Sequence, residues 1–176
     1  GVAINAIERQ PWEILVNSDG KRFVQEDHES VDHIEHQIGK QSAHRHWTIM
    51  DQKMLNEMPP MIYDWANQRI AKEANNHVMF KSGSSIRELA IKTGLHPVNL
   101  ENAVNDFNIK LKNNQADSFG RLHRPLPIEE GPFYSVRMSG WSLCSFAGLG
   151  VNENFEVIRS SGEPIKNLFA IGEVIG

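Results

Sequence analysis

Residues 84–113 leave little freedom in how they fold. Ser85 and Glu88 form a Ser-x-x-Glu capping box, in which the serine side chain satisfies an unpaired N–H of the first helical turn. Ile86, Leu89 and Ala90 follow at helical spacing, and Gly94 stands where a helix ends in the left-handed region. His96-Pro97 opens a second helix, because the fixed φ of proline suits a first turn. Leu100, Ala103, Val104, Phe107 and Leu111 make one apolar stripe along it. The stretch predicts a helical hairpin whose stripe must be buried against other elements.

Those elements read mainly as strands. In Glu13 to Val24, EILVNSDGKRFV, two apolar runs flank Asn17-Ser-Asp-Gly20, and Asp-Gly between such runs signals a β-hairpin. His46 to Asp51 alternates as a strand, with Asp51 placed to cap a short helix through Asn56. Pro59-Pro60 predicts a further helix, with Ile62, Trp65, Ala66 and Ile70 on its stripe as core residues. Val78-Met79-Phe80 and Phe133 to Met138 read as strands. Gly148 to Val151 and Glu156 to Arg159 flank Asn152-Glu-Asn154 as a second hairpin. Between Asn113 and Gly131 the periodicity is lost among Gly120, Pro125, Pro127 and Gly131, which predicts a domain boundary.

Charge excludes some partners. The chain of 176 residues has 18 basic and 22 acidic residues spread along it, a net charge of -4. That is no footprint for nucleic acid, which needs clustered Lys and Arg, and no apolar run is long enough for membrane insertion. The single cysteine, Cys144, excludes an intrachain disulfide. Five of eight histidines lie between Gln25 and His46. His33 and His36 would share a face of a helix over 30–40, and His44 and His46 a face of a strand. Because no Cys or carboxylate stands at a recognised ligand spacing, and the acidic neighbours suit a solvated helix, the expectation is no metal site.

The chain closes with Gly162 to Gly176, GEPIKNLFAIGEVIG. The short apolar run Leu168-Phe169-Ala170-Ile171, ended by glycine, predicts a strand buried on both faces of a parallel sheet. At the carboxyl end of such a strand, Gly172 would admit a ligand to the backbone and Glu173 would accept hydrogen bonds from sugar-like hydroxyls. A GxGxxG, a Walker loop, HExxH, GxSxG and CxxC are all absent from the sequence. With no initiating methionine and a stop just past Ile175, both ends are expected to be cuts.

The order of these pieces resembles one flavoprotein family, that of the soluble fumarate reductases, flavocytochrome c and the 3-ketosteroid Δ1-dehydrogenases. ILVNSDGKRFVQE is similar to the I-x-V-N-x-x-G-x-R-F-x-x-E with which the family's capping domain begins. IRELAIKTGLHPVNLENAVNDFN resembles the cap's L-A-x-K-x-G-x-x-P-x-x-L-x-x-x-V-x-x-Y-N, with Phe107 in the tyrosine position. Asp117 to Arg121 and Gly131 to Tyr134 resemble the return from the cap, and the closing stretch is similar to G-x-x-I-P-G-L-Y-A-A-G-E-V-x-G.

The resemblance implies an α+β fold: a mixed capping domain of a small sheet with helices, plus strands of an incomplete α/β FAD-binding domain. It divides the chain into the end of a flavin-domain segment (1–12), the cap (13–130) and a truncated return into the flavin domain (131–176). The implied cofactor is FAD, held by Gly172 and Glu173 in the complete protein and absent from this fragment. Partners would be a small organic substrate and the remainder of the flavin domain, in the cytoplasm, with the periplasm as the alternative. Glu26 matches a catalytic carboxylate that relays a proton in the fumarate reductases, but the arginine that usually partners it is replaced by an acidic stretch. Thr48 to Leu55 contains no arginine where the fumarate-reducing members have their proton donor. Trp141 to Gly148 stands where they have a carboxylate-holding histidine. Trp141, Leu143, Phe146 and Gly148 would line a larger, less charged substrate, of enone or ketone type. The alternative function is a non-catalytic ligand- or partner-binding module derived from the cap.

Overall fold

The structure is a computed structural model that describes residues 9–140 and 147–175. Chain contacts divide it into two compact units, 1–140 and 141–176. In the first, a four-stranded antiparallel sheet has the order β1 (Ile14–Val16), β2 (Arg45–Asp51), β4 (Phe133–Ser139), β3 (Phe80–Gly83). β2 and β4 pair along their whole length, from Arg45 opposite Ser139 to Asp51 opposite Phe133. Ile49 and Met50 point to opposite faces of the sheet and neither is exposed, so both faces are covered.

The helical hairpin supplies much of the core. In α4 (Ile86–Thr93) Ser85 Oγ accepts from Glu88 N at 3.1 Å, while Glu88 Oε2 reaches back to Ser84 N at 2.7 Å. Gly94 ends the helix at φ +78°. His96 Nδ1 caps α5 (Pro97–Lys112), which buries Leu100, Val104 and Phe107. The turn of the first hairpin packs onto the start of α5: Asn99 Nδ2 donates to Asp19 O at 2.9 Å. Asp51 caps α2 (Gln52–Glu57) by accepting from Met54 N, and its other oxygen holds Glu129 N and Glu130 N.

Three expectations about the first unit are corrected. Pro59-Pro60 opens no helix; the segment stays a loop as far as α3 (Gln68–Glu73). There the Asn67 side chain accepts from Met61 N and donates to Met58 O, giving the backbone an alternative to helical bonds. Ile62 and Ile70 are nonetheless buried, and the Trp65 ring stacks on Phe80. The third strand begins at Phe80 rather than Val78. His44 lies in a short 3-10 turn, Ser42–His44, outside the strand that carries His46. The Pro- and Gly-rich stretch 113–131 connects elements inside the first unit, and β4 follows it and pairs centrally.

The second unit is a two-stranded antiparallel sheet of β5 (Glu156–Ile158) and β6 (Pro164–Phe169). Val151 bridges Val157 and Asn152 N donates to Glu156 O, so the expected second hairpin forms. The closing strand is neither parallel nor buried: it pairs only with β5 among the described residues, and Phe169 and Ile171 are 61% and 71% exposed. A two-stranded sheet has no second layer to cover such a run. Ala170 is the member of the run that is buried.

Candidate functional site

Glu26 lies inside the first unit, in a cluster of charges rather than on the surface. Arg22 returns from the hairpin turn and its guanidinium clasps Glu26, Nε to Oε1 at 2.9 Å and Nη2 to Oε2 at 2.6 Å. The same guanidinium holds Asp117, Nη1 to Oδ2 at 2.7 Å and Nη2 to Oδ1 at 3.0 Å. Its faces lie near the rings of Phe107 and Phe119. Glu26 Oε1 also accepts from Leu15 N at 3.1 Å, and Arg121 Nη1 stands 3.5 Å from Oε2. Glu26 therefore has arginine partners after all, Arg22 and Arg121, from positions other than the one the resemblance marks.

Arg121 fixes the start of the unit. It donates to Glu13 O and His123 O, each at 2.7 Å, and to Pro11 O. Asp27 Oδ2 accepts from Leu122 N and His123 N. Burial opposes ionisation of Asp117, but hydrogen bonds from Arg22 and from Phe119 N outweigh it and hold the carboxyl below its usual range. Burial likewise works against the Arg22 charge, and the bonds to Glu26 and Asp117 reverse that, raising its pKa. Two cations and two anions are thus sealed together with their charges matched. Sequence reading singled out Glu26 alone. Arg22 lies four residues from it, but the partners Asp117 and Arg121 are more than 90 residues away along the chain, and nothing local announces them.

The closing turn holds the other candidates. After β6 the chain makes one 3-10 turn, Gly172–Ile175, with both Gly172 and Glu173 exposed. Gly172 has φ +74°, and a Cβ built there meets no atom within 4 Å. Glycine is therefore required by the backbone angle and not by packing. Leu149 N donates to Val174 O at 2.8 Å, which brings the segment beginning at Gly148 alongside this turn. Open space at a glycine, beside a free carboxylate that accepts hydrogen bonds, suits the hydroxyls of a ribityl or ribose group. Trp141, Leu143 and Phe146 lie outside the described residues. Among the described residues no three His, Cys, Asp or Glu side chains converge as a metal would require, and the His28 and His33 rings stack on each other at 4.1 Å.

The profile of the FAD binding domain family matches residues 3–176. The chain belongs to that family. It is 26% identical over 175 residues to a "probable fumarate reductase" of Shewanella frigidimarina, covering 99% of this chain and 28% of the relative. It is 26% identical over 192 residues to the 3-oxosteroid 1-dehydrogenase of Mycolicibacterium smegmatis, covering 94% of this chain and 32% of that one. Among solved structures, the open conformation of a flavocytochrome c3 fumarate reductase superposes with a TM-score of 0.69 at 26% identity, over 99% of this chain and 29% of that one. The chain spans about a third of the length of the curated relatives it matches. The α+β fold and the family named from the motifs are both borne out.

Proposed function

We propose that this FAD-family chain is the capping domain and adjoining flavin-domain strands of an oxidoreductase that moves a hydride between flavin and an unsaturated or ketone-type organic substrate. The observation that carries the reading is the Gly172–Glu173 turn, open and left-handed, at the end of a strand in a chain matched throughout by an FAD-binding family. FAD, when bound, supplies the hydride chemistry. Gly172 admits its sugar portion to the backbone and Glu173 accepts hydrogen bonds from its hydroxyls. With β4 a central strand of the first unit, the cap in this reading runs from about Trp12 to Gly140, and the flavin-domain strands follow.

The exposed apolar side chains of Phe155, Phe169 and Ile171 support the remainder of the flavin domain as the partner of the second unit. Glu26 keeps its place at the base of the cap. Enclosed between Arg22 and Arg121, its role in this reading is to hold the cap's first hairpin rather than to carry protons. The absence of an arginine from Thr48 to Leu55 favours an enone or other weakly charged substrate over a dicarboxylate. Among the described residues no helix is long and apolar enough to cross a membrane. A cytoplasmic location is proposed, and cell fractionation tests it against the periplasm.

The test is FAD occupancy of Glu173→Gln in the flavin-binding protein. Loss of one strong acceptor is expected to raise the FAD dissociation constant about tenfold, in line with a charge-assisted hydrogen bond worth ~1.5 kcal/mol. Unchanged occupancy would remove Glu173 from the site.

A further inference from the structure

Five of the eight histidines lie between Gln25 and His46, and the cluster of charges around Glu26 uses none of them. Two of the five stack. The His28 and His33 rings lie 4.1 Å apart at an interplanar angle of 18°, across the start of α1 (Val31–Gly39). His28 Nδ1 accepts a hydrogen bond from Ser30 N at 3.0 Å. An imidazole nitrogen that accepts carries no proton, so this bond exists only while His28 is neutral. Ser30 is in turn the N-cap of α1, its Oγ accepting from His33 N at 3.3 Å. The ring contact and the two bonds form a closed circuit from His28 through Ser30 to His33.

Little else holds this end of the helix. Of the nine residues of α1 only Ile38 is buried, and it lies in the last turn. There Gln41 Nε2 donates to Gln37 O at 3.0 Å, and Asn17 Nδ2 donates to Gln41 Oε1 at 3.3 Å. On the other side Asp27 is fixed by Leu122 N and His123 N, at 2.8 and 2.7 Å. Between these two anchors Glu29, Val31, Asp32, His33, Glu35 and His36 are all exposed. A helix with one buried apolar residue draws little stability from packing and belongs among the elements that open locally.

Acid acts against the closed form. A first proton is tolerated on His33, because a cation over a neutral aromatic face is attracted to it. A second proton, on His28, must go to Nδ1. It removes the acceptor of Ser30 N, sets two cations face to face, and places both at a helix N-terminus, whose partial charge is also positive. The titratable groups about the pair are Glu29, Asp32, Glu35 and His36 on its own segment and, across Asp27, Arg121 and His123 on the facing loop. Asp27 is committed to backbone N–H groups, and the exposed Glu29 and Asp32 offset only a little of the repulsion through water. The open form binds one more proton than the closed form, so falling pH favours opening.

We propose that His28 and His33 form a pH-operated latch on α1. Stacked and bonded through Ser30 at neutral pH, they release the first two turns of the helix when both are protonated. The device stands apart from the oxidoreductase reading, since it uses only side chains of the first unit and no cofactor.

The test is hydrogen exchange of the α1 amides, corrected for the intrinsic rate, at about pH 7.5 and about pH 5.5 in wild type, His28→Asn and His33→Phe. In wild type, protection from Ile34 to Gln37 is expected to fall about tenfold, the factor that uptake of one further proton supplies over one pH unit. His28→Asn keeps an oxygen acceptor for Ser30 N that does not titrate, and His33→Phe keeps a stacked ring without its charge. Both are expected to hold α1 protection within about twofold over the same range. Wild-type protection that is equal at the two pH values overturns the latch. A fall of the same size in all three proteins also overturns it, and would belong to His46 or another group. None of these outcomes bears on flavin binding.

Discussion

Arg22 grips Asp117 through two parallel hydrogen bonds, at 2.7 and 3.0 Å, across 95 residues of sequence. Both side chains are almost fully withdrawn from water, at 3% and 0% exposed. Removing one partner from such a pair leaves the other charge buried and unmatched. Asp117→Ala is therefore expected to cost about 3–5 kcal/mol. The Arg87–Glu101 pair has similar geometry but is solvent-exposed, and Glu101→Ala is expected to cost under about 1 kcal/mol. Urea denaturation of both variants checks this, and equal losses would show that burial of the cluster does not set its energetics.

His46 makes stability depend on pH. Its imidazole is buried, with Nδ1 lacking a partner, and burial brings its pKa from 6.5 down to about 4, against a smaller opposing pull from Glu13. The unfolded chain therefore binds more protons than the folded one between these values. Stability from this group is complete above pH 6.5 and is lost as pH falls toward 4. The loss reaches about 3 kcal/mol at most, at 1.36 kcal/mol per pKa unit. Denaturant midpoints from pH 7 to 4 should decline in wild type and flatten over this window in His46→Phe. An unaltered slope in the variant would assign the decline to other groups.

Gly83 sits where β3 meets α4, and a Cβ there would lie 2.6 Å from Leu89 N. Backbone cannot yield as a flexible side chain does, so Gly83→Ala is expected to destabilise by roughly 2–3 kcal/mol. Gly94→Ala strains only a left-handed φ in open space and should cost about 1 kcal/mol. Thermal unfolding of the two variants gives the order, and a reversal would mean that α4 can move away from the strand.

Much of the fold was legible because its signals are local. Ser85, Gly94, Pro97 and Asp51 each act on backbone within four residues, and each caps, opens or ends the helix its position implied. The loop after Pro59-Pro60 was misread because helical spacing of Ile62, Trp65 and Ile70 records burial, and burial does not require a helix. The Asn67 side chain, bonded to Met58 and Met61, decides that segment. The closing strand was misread for another reason: an apolar run of four residues reports that something covers it without saying what or in which direction it pairs. Of the candidate site, Gly172 was visible through its sequence context, whereas the partners of Glu26 depended on a contact between distant parts of the chain.

We propose that this chain is one part of a flavin-dependent oxidoreductase. The most direct test is the visible absorption spectrum of the native protein, purified from its source and read beside its intact mass. The expected result is a longer polypeptide carrying flavin near one per chain, and a 176-residue chain that stays colourless when FAD is added. A native protein of this length and no flavin would contradict it and leave a cap-derived binding module in its place.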